Sequence, residues 1–165
     1  MIFETNRLLV RKLKETDLNA FHKMQSNPLV MQYTTGVVKN LEDHKKELSE
    51  LISKYDAVNN DFWIYAVERK SDAVFTGTIA LVKNGVDDEI GYRFLQEFWN
   101  NGFGTEVCQG LIEYCRSKKL TKLTAYVVNE NIASHKILQK LKFTFVKKQI
   151  AEDLQLPETK YELYL

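Results

Sequence analysis

The sequence predicts an α/β (α+β) protein with a mixed central β-sheet of about six to seven strands and helices on both faces. Short segments rich in aromatic and β-branched residues alternate with longer segments of helical periodicity. Three strand segments in the middle of the chain are separated only by polar turns, as in an antiparallel meander. A strand, a helix and a strand then follow in order, which implies a crossover connection. The length of 165 residues fits a single domain spanning 1–165.

The N-terminal third predicts one strand and two main helices. Arg7 to Lys12 has the composition of a strand, and Thr16 is the expected N-cap of the first helix. After a proline break, Leu29 to Tyr33 are expected to form a short turn. Asn40, three residues before Asp43, is expected to cap a second, longer helix.

The rest of the chain adds six strands and two helices. One helix opens at the glycine-containing segment Asn100 to Glu106, and another is expected from about Ile132 to Leu141. The strands are expected at Phe62–Glu68, Phe75–Val82, Glu89–Leu95, Leu123–Val128, Phe143–Ile150 and Lys160–Leu165.

Composition and charge exclude several classes of protein. A content of 44% hydrophobic and 27% charged residues, with seven Gly and two Pro, argues against a disordered or collagen-like chain. The net charge of +1 lacks the basic excess of a dedicated nucleic-acid binder. No apolar run approaches about 18–20 residues, and the first residues lack the regions of a secretion signal. We therefore expect a cytoplasmic protein that does not enter membranes.

Cysteine and histidine spacing argues against disulfide and metal chemistry. Cys108 and Cys115 lie about two helical turns apart, too far for a disulfide, and are expected to be small buried hydrophobes. His22, His44 and His135 are scattered without the paired spacing of a zinc site. We therefore expect no metal.

The segment Asn100 to Glu106 has the features of an anion site. It joins a strand to a helix, and Gly102 and Gly104 lack Cβ atoms, so a ligand can approach the backbone closely. The unpaired N–H groups of the first helical turn and the helix dipole favour phosphate oxygens. A tight structural connection explains the same glycines. The segment lacks the Lys-Ser/Thr of a P-loop and the third glycine of a dinucleotide-binding fold.

Four segments together resemble the GNAT acetyltransferase superfamily. They are Ile90-Gly91-Tyr92-Arg93-Phe94, Phe98 to Glu106 (FWNNGFGTE), Asn131 to Ser134 (NIAS) and Leu141-Lys142-Phe143. The opening Glu4 to Arg11 (ETNRLLVR) also resembles the branch that includes ribosomal-protein alanine N-acetyltransferases. The resemblance covers nearly the whole chain, with the motifs in the expected order.

The resemblance implies acetyl-CoA as the acetyl donor. Its pyrophosphate would bind the amides of Asn101, Gly102, Phe103, Gly104 and Thr105. The pantetheine arm would pair with the strand edge near Phe94 and Leu95 and bond to Asn131, which is also a candidate helix N-cap, and to Ser134.

The implied reaction is direct attack of a neutral amine on the thioester, with no covalent enzyme intermediate. Ser134 is the candidate acid that protonates the departing thiolate, although it could also be an ordinary solvated helix serine. Leu138 stands where the superfamily often has a tyrosine acid, so this role falls to Ser134 or to water. Glu89 is the first candidate base and Glu68 the second, although either could be an ordinary solvent-facing strand carboxylate.

Two further positions depart from the family pattern. Asn100 and Lys142 both stand where relatives commonly carry glycine. Because glycine at a helix end commonly adopts the left-handed conformation, Lys142 predicts an altered or strained helix exit. Asn100 raises the same question for the shape of the anion-binding loop.

The acceptor, its site and the partners stay open at this point. Tyr33, Thr34 and Trp63, with Gln32, Thr35 and Phe62, are candidates to line an acceptor cleft, although core packing explains the aromatic residues equally well. A protein N-terminus or a small amine would serve as acceptor. The closing strand Tyr161 to Leu165 is a candidate pairing edge for a homodimer.

Two other function classes compete with the enzyme. A catalytically silent CoA-binding regulatory domain would keep the anion site and lose the acid and the base. An RNA- or ribosome-associated module would use the stretch Arg116 to Lys148, which holds nine Lys and Arg and one acid, Glu130. That stretch lacks interleaved aromatic residues for stacking on bases, and its charge also suits a polyanionic cofactor.

Overall fold

The computed structural model describes all residues 1–165 and contains one mixed sheet of eight strands in the order β1-β2-β3-β4-β5-β6-β8-β7. The strands are β1 (Phe3–Glu4), β2 (Leu8–Lys12), β3 (Phe62–Arg69), β4 (Val74–Asn84), β5 (Asp87–Phe94), β6 (Lys122–Val128), β7 (Thr144–Ile150) and β8 (Pro157–Tyr164). The helices are α1 (Leu18–Gln25), α2 (Pro28–Met31), α3 (Leu41–Lys54), α4 (Phe103–Ser117) and α5 (Ile132–Lys140).

The predicted mixed α/β class is confirmed, with one strand more than expected. The additional strand is β1, which pairs antiparallel with β2 through Phe3 opposite Val10 and Glu4 opposite Leu9. Two residues are too few to show the alternation of polar and apolar side chains that marks a strand in a sequence. The predicted meander is β3, β4 and β5, which pair antiparallel in order.

The helices cover opposite faces of the sheet, as predicted. Neighbouring residues of β5 show the two faces: the Arg93 guanidinium donates to Gln25 of α1 at 2.6 Å, whereas the Tyr92 hydroxyl lies 2.9 Å from Ser134 of α5. Because successive strand side chains point to opposite faces, α1 lies on one side and α5 on the other. Helix α3 packs with α1, and α4 packs with α5.

Helix starts were predicted with mixed success. Asn40 caps α3 as expected, because its side-chain oxygen accepts the Asp43 N–H at 2.9 Å. Thr16 is not a cap: it lies inside a 3-10 turn that precedes α1, where Asp17 accepts the Lys14 N–H at 2.8 Å. The turn expected at Leu29 to Tyr33 is instead the short helix α2, capped by Asn27.

The closing strand is not a sheet edge, which corrects the expected pairing surface. Strand β8 lies between β6 and β7 and pairs antiparallel with both. The edge strand on this side is β7, on which Phe145 and Ile150 are exposed. The pairing of β8 with β6, which is distant in sequence, sets this order, so the local pattern does not reveal it.

Several smaller expectations concern cysteines, histidines and membrane segments. Cys108 and Cys115 are buried and unpaired, as predicted. His22 and His44, which are distant in the sequence, lie side by side in the structure, with their Nδ1 atoms 2.8 Å apart between α1 and α3.

No group of three or more His, Cys, Asp or Glu side chains is arranged to hold a metal ion. None of the helices is long and apolar enough to cross a lipid bilayer.

Candidate active site

Strands β5 and β6 separate to form a fork in the sheet. They run parallel, and Glu89 opposite Thr124 is their only pair. This pair lies near the start of both strands, so the strands diverge toward their carboxyl ends. The chain leaves β5 toward the N-terminus of α4, and it leaves β6 toward Asn131 at the N-terminus of α5. The gap between β5 and β6, called the fork below, leaves backbone groups of both strands without a strand partner.

The segment Asn100 to Glu106, called the Gly102 turn below, brings free backbone amides to the open end of the fork. Asn100 and Gly102 adopt left-handed conformations with φ of 60° and 77°. Gly102 is the N-cap of α4 and has no side chain to satisfy the first amides of the helix. The Glu106 N–H is the first in this turn to bond back, to the Gly102 carbonyl at 3.1 Å. The preceding N–H groups are therefore available to an anionic ligand.

The β5 backbone offers a hydrogen-bonding edge to the fork. The Leu95 N–H donates to the Thr76 carbonyl of β4 at 2.9 Å, so odd-numbered residues of β5 direct their polar groups toward β4. Ile90 and Tyr92 therefore direct theirs into the fork. The backbone groups of Phe94 also point into the fork, but its carbonyl already accepts a hydrogen bond from the Trp99 indole N–H at 2.9 Å. Of the two predicted edge residues, Phe94 therefore faces the fork and Leu95 bonds to β4 instead.

Two hydroxyl groups meet beside the fork. The Ser134 oxygen lies 2.9 Å from the Tyr92 hydroxyl oxygen, and the Asn131 side-chain oxygen accepts the Ser134 N–H at 3.2 Å. Asn131 is thus the N-cap of α5, and its side-chain NH₂ group makes no hydrogen bond within the protein. Burial raises the pKa of Tyr92, so its hydroxyl keeps its proton at neutral pH. Tyr92 lies in the sequence motif Ile90 to Phe94, but the motif alone did not predict a role for its hydroxyl group.

A surface cleft of about 730 Å³ extends from the Gly102 turn along the outer side of α4. Gly102 and Thr105 line it, as do Lys140 and Leu141, where α5 ends. Lys140 belongs to the basic stretch Arg116 to Lys148. The charged lining is mixed, with two cations, Arg7 and Lys140, and three carboxylates, Glu4, Glu106 and Glu113. The cleft therefore lies next to the free amides of the Gly102 turn and contains a lysine that can pair with a negatively charged group.

A family model described as an acetyltransferase (GNAT) domain matches residues 7–144. The chain belongs to the GNAT acetyltransferase family. It is 31% identical over 149 residues to the uncharacterized N-acetyltransferase YoaA of Bacillus subtilis (strain 168), a match that covers 86% of this chain and 82% of that protein. The chain is therefore an acyltransferase of this family.

Solved GNAT structures share its fold. An acetyltransferase from Bacillus anthracis superposes with a TM-score of 0.86 at 22% identity and covers 98% of this chain and 97% of its own. RimL, the ribosomal L7/L12 alpha-N-protein acetyltransferase, solved in complex with coenzyme A, superposes with a TM-score of 0.83 at 16% identity. That match covers 98% of this chain and 96% of RimL. At these identities the likeness establishes the fold.

Glu89 lies at the closed end of the fork in this acetyltransferase. Its carboxylate is half-buried and accepts a hydrogen bond from the Asn84 side chain at 3.0 Å. Burial raises the pKa of Glu89, and the nearby carboxylates of Glu158 and Asp153 raise it further, whereas the Asn84 hydrogen bond opposes the shift. A carboxylate with a raised pKa accepts a proton more readily at neutral pH than an ordinary glutamate does.

The two aspartates beside Glu89 are neutralised by lysines. Asp87 is buried and bonds to Lys160 at 2.6 Å and to Lys122 at 3.0 Å, which hold the pKa of Asp87 at about 2. Asp88 pairs with Lys83 at 3.1 Å. Because Asp87 lies on β5 and Lys122 on β6, the Asp87 ion pairs also join the two strands at the closed end of the fork.

Space for a second substrate lies on the α1 face of β5. Gly91 follows Glu89 on the same face of the strand and is exposed, although β5 is a central strand. A Cβ placed on Gly91 would meet only Ala80, at 3.9 Å. An open space therefore lies next to Glu89 and one residue from Tyr92.

Segment 33–36 and the loop between β7 and β8 approach each other near this space. A Cβ on Gly36 would stand 3.0 Å from Leu154, so the two segments are in close contact. Tyr33 and Thr34 are partly buried next to Gly36, and Thr34 donates to the Met31 carbonyl at 3.1 Å. Gln32 and Thr35 are exposed.

Glu68, the second candidate base, forms an ion pair away from the fork. Glu68 pairs with Arg11 at 2.7 Å, and Arg11 also binds Asp17 at 2.8 Å. Glu68 lies on β3, two strands from β5 in the sheet order, and the structure does not bring it to the fork.

The predicted aromatic lining residues have packing partners of their own. Trp63 stacks on Tyr55 and Tyr65, with ring centroids 6.3 and 6.1 Å apart. Phe62 packs against the Lys54 ammonium group at 4.0 Å. Both residues therefore have packing contacts, and a role in lining an acceptor cleft stays a prediction.

Proposed function

We propose that residues 1–165 act as one domain that transfers an acetyl group from acetyl-CoA to a primary amine. The observation that carries the proposal is the fork between β5 and β6, with free amides at the Gly102 turn, the Tyr92–Ser134 pair at its side and Glu89 at its closed end. These groups can perform the three tasks that the reaction requires: they can bind the donor, protonate the leaving thiolate and deprotonate the amine.

The donor is proposed to bind as an extended chain. The pyrophosphate accepts from the N–H groups of Asn101, Gly102, Phe103, Gly104 and Thr105, whose helix N-terminus also favours negative charge. Phe103 contributes its backbone only, because its side chain is buried against Phe94 and Phe98. The phosphorylated adenosine occupies the cleft toward Lys140. The fold likeness to RimL, which was solved with coenzyme A, supports this arrangement.

The pantetheine arm is proposed to lie in the fork. It adds to the free edge of β5 at Ile90 and Tyr92, as a strand would, and receives a hydrogen bond from the Asn131 NH₂ group. The Tyr92 N–H then points toward the thioester and donates to the oxygen that becomes negative during attack.

Ser134 is proposed as the acid and Tyr92 as the hydrogen-bond donor that supports it. Ser134 gives its proton to the departing thiolate while the Tyr92 hydroxyl, 2.9 Å away, donates a hydrogen bond to the serine oxygen. Because burial raises the pKa of Tyr92, the tyrosine keeps its own proton, and solvent returns a proton to Ser134 after the product leaves.

Glu89 is proposed as the base, acting directly or through a water. The open space at Gly91 lets an amine approach on the side of β5 opposite α5. Glu89, Glu158 and Asp153 give this approach a negative charge that attracts a protonated amine, which then loses a proton to Glu89. Tyr33 and Thr34 line the outer part of this space. The acceptor is a protein N-terminus or a small amine.

Calorimetry with acetyl-CoA followed by a thiol-release screen tests the proposal. The screen covers polyamines, amino acids, aminoglycosides and peptides with free N-termini. We expect binding in the micromolar range and turnover on at least one amine class. No binding at tens of micromolar would contradict the proposal, and binding without turnover on any amine would favour a regulatory CoA-binding domain.

A further inference from the structure

The segment that joins β1 to β2 binds the first turn of α4 through one carboxylate of that turn, Glu106. Glu106 receives the Thr5 hydroxyl at 2.7 Å and the Arg7 backbone N–H at 2.7 Å on one oxygen. Its other oxygen receives the Arg7 side chain, from Nε and from Nη2, each at 2.6 Å. Four donors therefore fill this carboxylate. Although burial opposes the shift, these hydrogen bonds hold the pKa of Glu106 below its ordinary value.

Arg7 also contacts the Gly102 turn itself. Its guanidinium lies over the Phe103 ring, 4.7 Å from the centroid, and its Nη2 atom lies 3.5 Å from the place of a Cβ on Gly102. Its Nη1 group makes no hydrogen bond within the protein. The guanidinium lines the same cleft as Gly102, Thr105 and Lys140, and it is 46% exposed, whereas Glu106 is 17% exposed.

Glu106 poses an electrostatic problem for an anion site. It lies in the first turn of the helix whose N-terminal amides are free, and a half-buried carboxylate there repels phosphate. The two bonds from Arg7 Nε and Nη2 to one oxygen of Glu106 cancel that charge and turn the carboxylate toward residues 5–7. Nη1 adds a positive group on the ligand side.

We propose that Arg7 is a positioning residue of the pyrophosphate site, which cancels the charge of Glu106 and fixes the Gly102 turn through Phe103. This inference rests on the proposed binding of acetyl-CoA. It assigns to the N-terminal segment a role in donor binding, in addition to its place in the sheet.

The test is a charge-rescue cycle with Arg7→Met, Glu106→Gln and the double variant. Calorimetry gives the CoA dissociation constant of each, and thiol release gives KM for acetyl-CoA and for acetylpantetheine, which lacks the nucleotide and its phosphates. We expect Arg7→Met to weaken CoA binding about tenfold and the double variant to recover most of that loss, because the uncompensated carboxylate is gone. Neither change should alter KM for acetylpantetheine by more than about twofold.

A matched control removes a positive charge elsewhere. Lys83, on β4, pairs with Asp88 at 3.1 Å and has a similar exposure, 41%, but it lies opposite the start of β5, away from the Gly102 turn. Lys83→Met should leave the CoA dissociation constant unchanged. Raising the ionic strength should shrink the penalty of Arg7→Met, since salt screens repulsion between a carboxylate and phosphates.

Three results would overturn the inference. They are an unchanged dissociation constant in Arg7→Met, a double variant as weak as Arg7→Met, and an equal rise in KM for acetylpantetheine. Circular dichroism of each variant, with Arg7→Lys as the conservative substitution, separates loss of fold from loss of affinity. If the wild-type protein binds CoA normally, any of these results refutes only the role of Arg7, whereas failure of the wild type to bind refutes the proposed function.

Discussion

The hydroxyl oxygens of Tyr92 and Ser134 lie 2.9 Å apart, although the residues are 42 positions apart in the chain. One extends from β5 and the other from the first turn of α5, so the pair spans the fork from the two elements that border it. A serine alone is a weak acid. A buried tyrosine that donates a hydrogen bond to the serine oxygen stabilises the negative charge that this oxygen gains when it gives up its proton.

Ser134→Ala is predicted to lower kcat roughly a hundredfold while the KM for acetyl-CoA changes little, since the proton matters in the transition state. Tyr92→Phe should lower kcat by less, and the double variant should equal Ser134→Ala because the two groups act in one chain. Steady-state kinetics measure these effects. Ser117→Ala, at the far end of α4, is the control and should retain wild-type rates.

Glu89→Gln is predicted to remove the acid limb of the pH–rate profile. Because burial raises the pKa of Glu89, the wild-type limb should lie above the pH at which an ordinary glutamate titrates, and kcat/KM should fall as pH drops through it. Asp88→Asn, one residue earlier and paired with Lys83, should keep the limb. A normal limb in Glu89→Gln would refute the base assignment.

Gly91→Val is predicted to impair the acceptor and spare the donor. A side chain there meets only Ala80, so the protein should fold, but the added methyl groups fill the space where the amine approaches. The KM for the amine should rise about tenfold, or 1.4 kcal/mol, while CoA affinity stays unchanged. A rise confined to CoA would show that the donor uses this face instead.

Asp87→Asn is predicted to destabilise the fold by about 2 kcal/mol, because Lys160 and Lys122 lose one of their two carboxylate partners and keep only Glu162. The pKa of Asp87 is lowered from 3.8 to about 2, so its contribution is present above the unfolded value and is lost as pH falls toward 2. Urea unfolding between pH 5 and 2 measures this, and the variant should show a weaker pH dependence there.

Lys142→Gly is predicted to stabilise the protein by about 1 kcal/mol, because Lys142 has a φ of 68°. Lys136→Gly, at an exposed position inside α5, is the control and should destabilise by a similar amount, since glycine weakens a helix interior. Thermal unfolding compares the two. Equal effects of both changes would show that the left-handed conformation costs nothing at Lys142.

The sequence predicted the Gly102 turn and the unusual backbone at Asn100 and Lys142, because each of these features is local. Lys142 and Asn100, at which the family resemblance leads us to expect glycine, both have positive φ in the structure. The Asn40 cap was predictable for the same reason, since its partner is three residues away.

Features that depend on tertiary pairing were missed. The face to which Tyr92, Glu68 or Trp63 points depends on strand register, which a run of aromatic and β-branched residues does not reveal. The role of Glu106 depends on a contact with residues 5–7, about 100 positions away. The place of β8 inside the sheet likewise depends on its pairing with β6.

The most direct test of the proposed acetyl-CoA site is an NMR titration of ¹⁵N-labelled protein with acetyl-CoA. We predict saturable amide shifts concentrated at residues 101–105, at 90–94 of β5 and at 131–134, with the Arg7 amide also shifted. Saturable shifts confined to other surfaces, or no shifts at millimolar ligand, would contradict it.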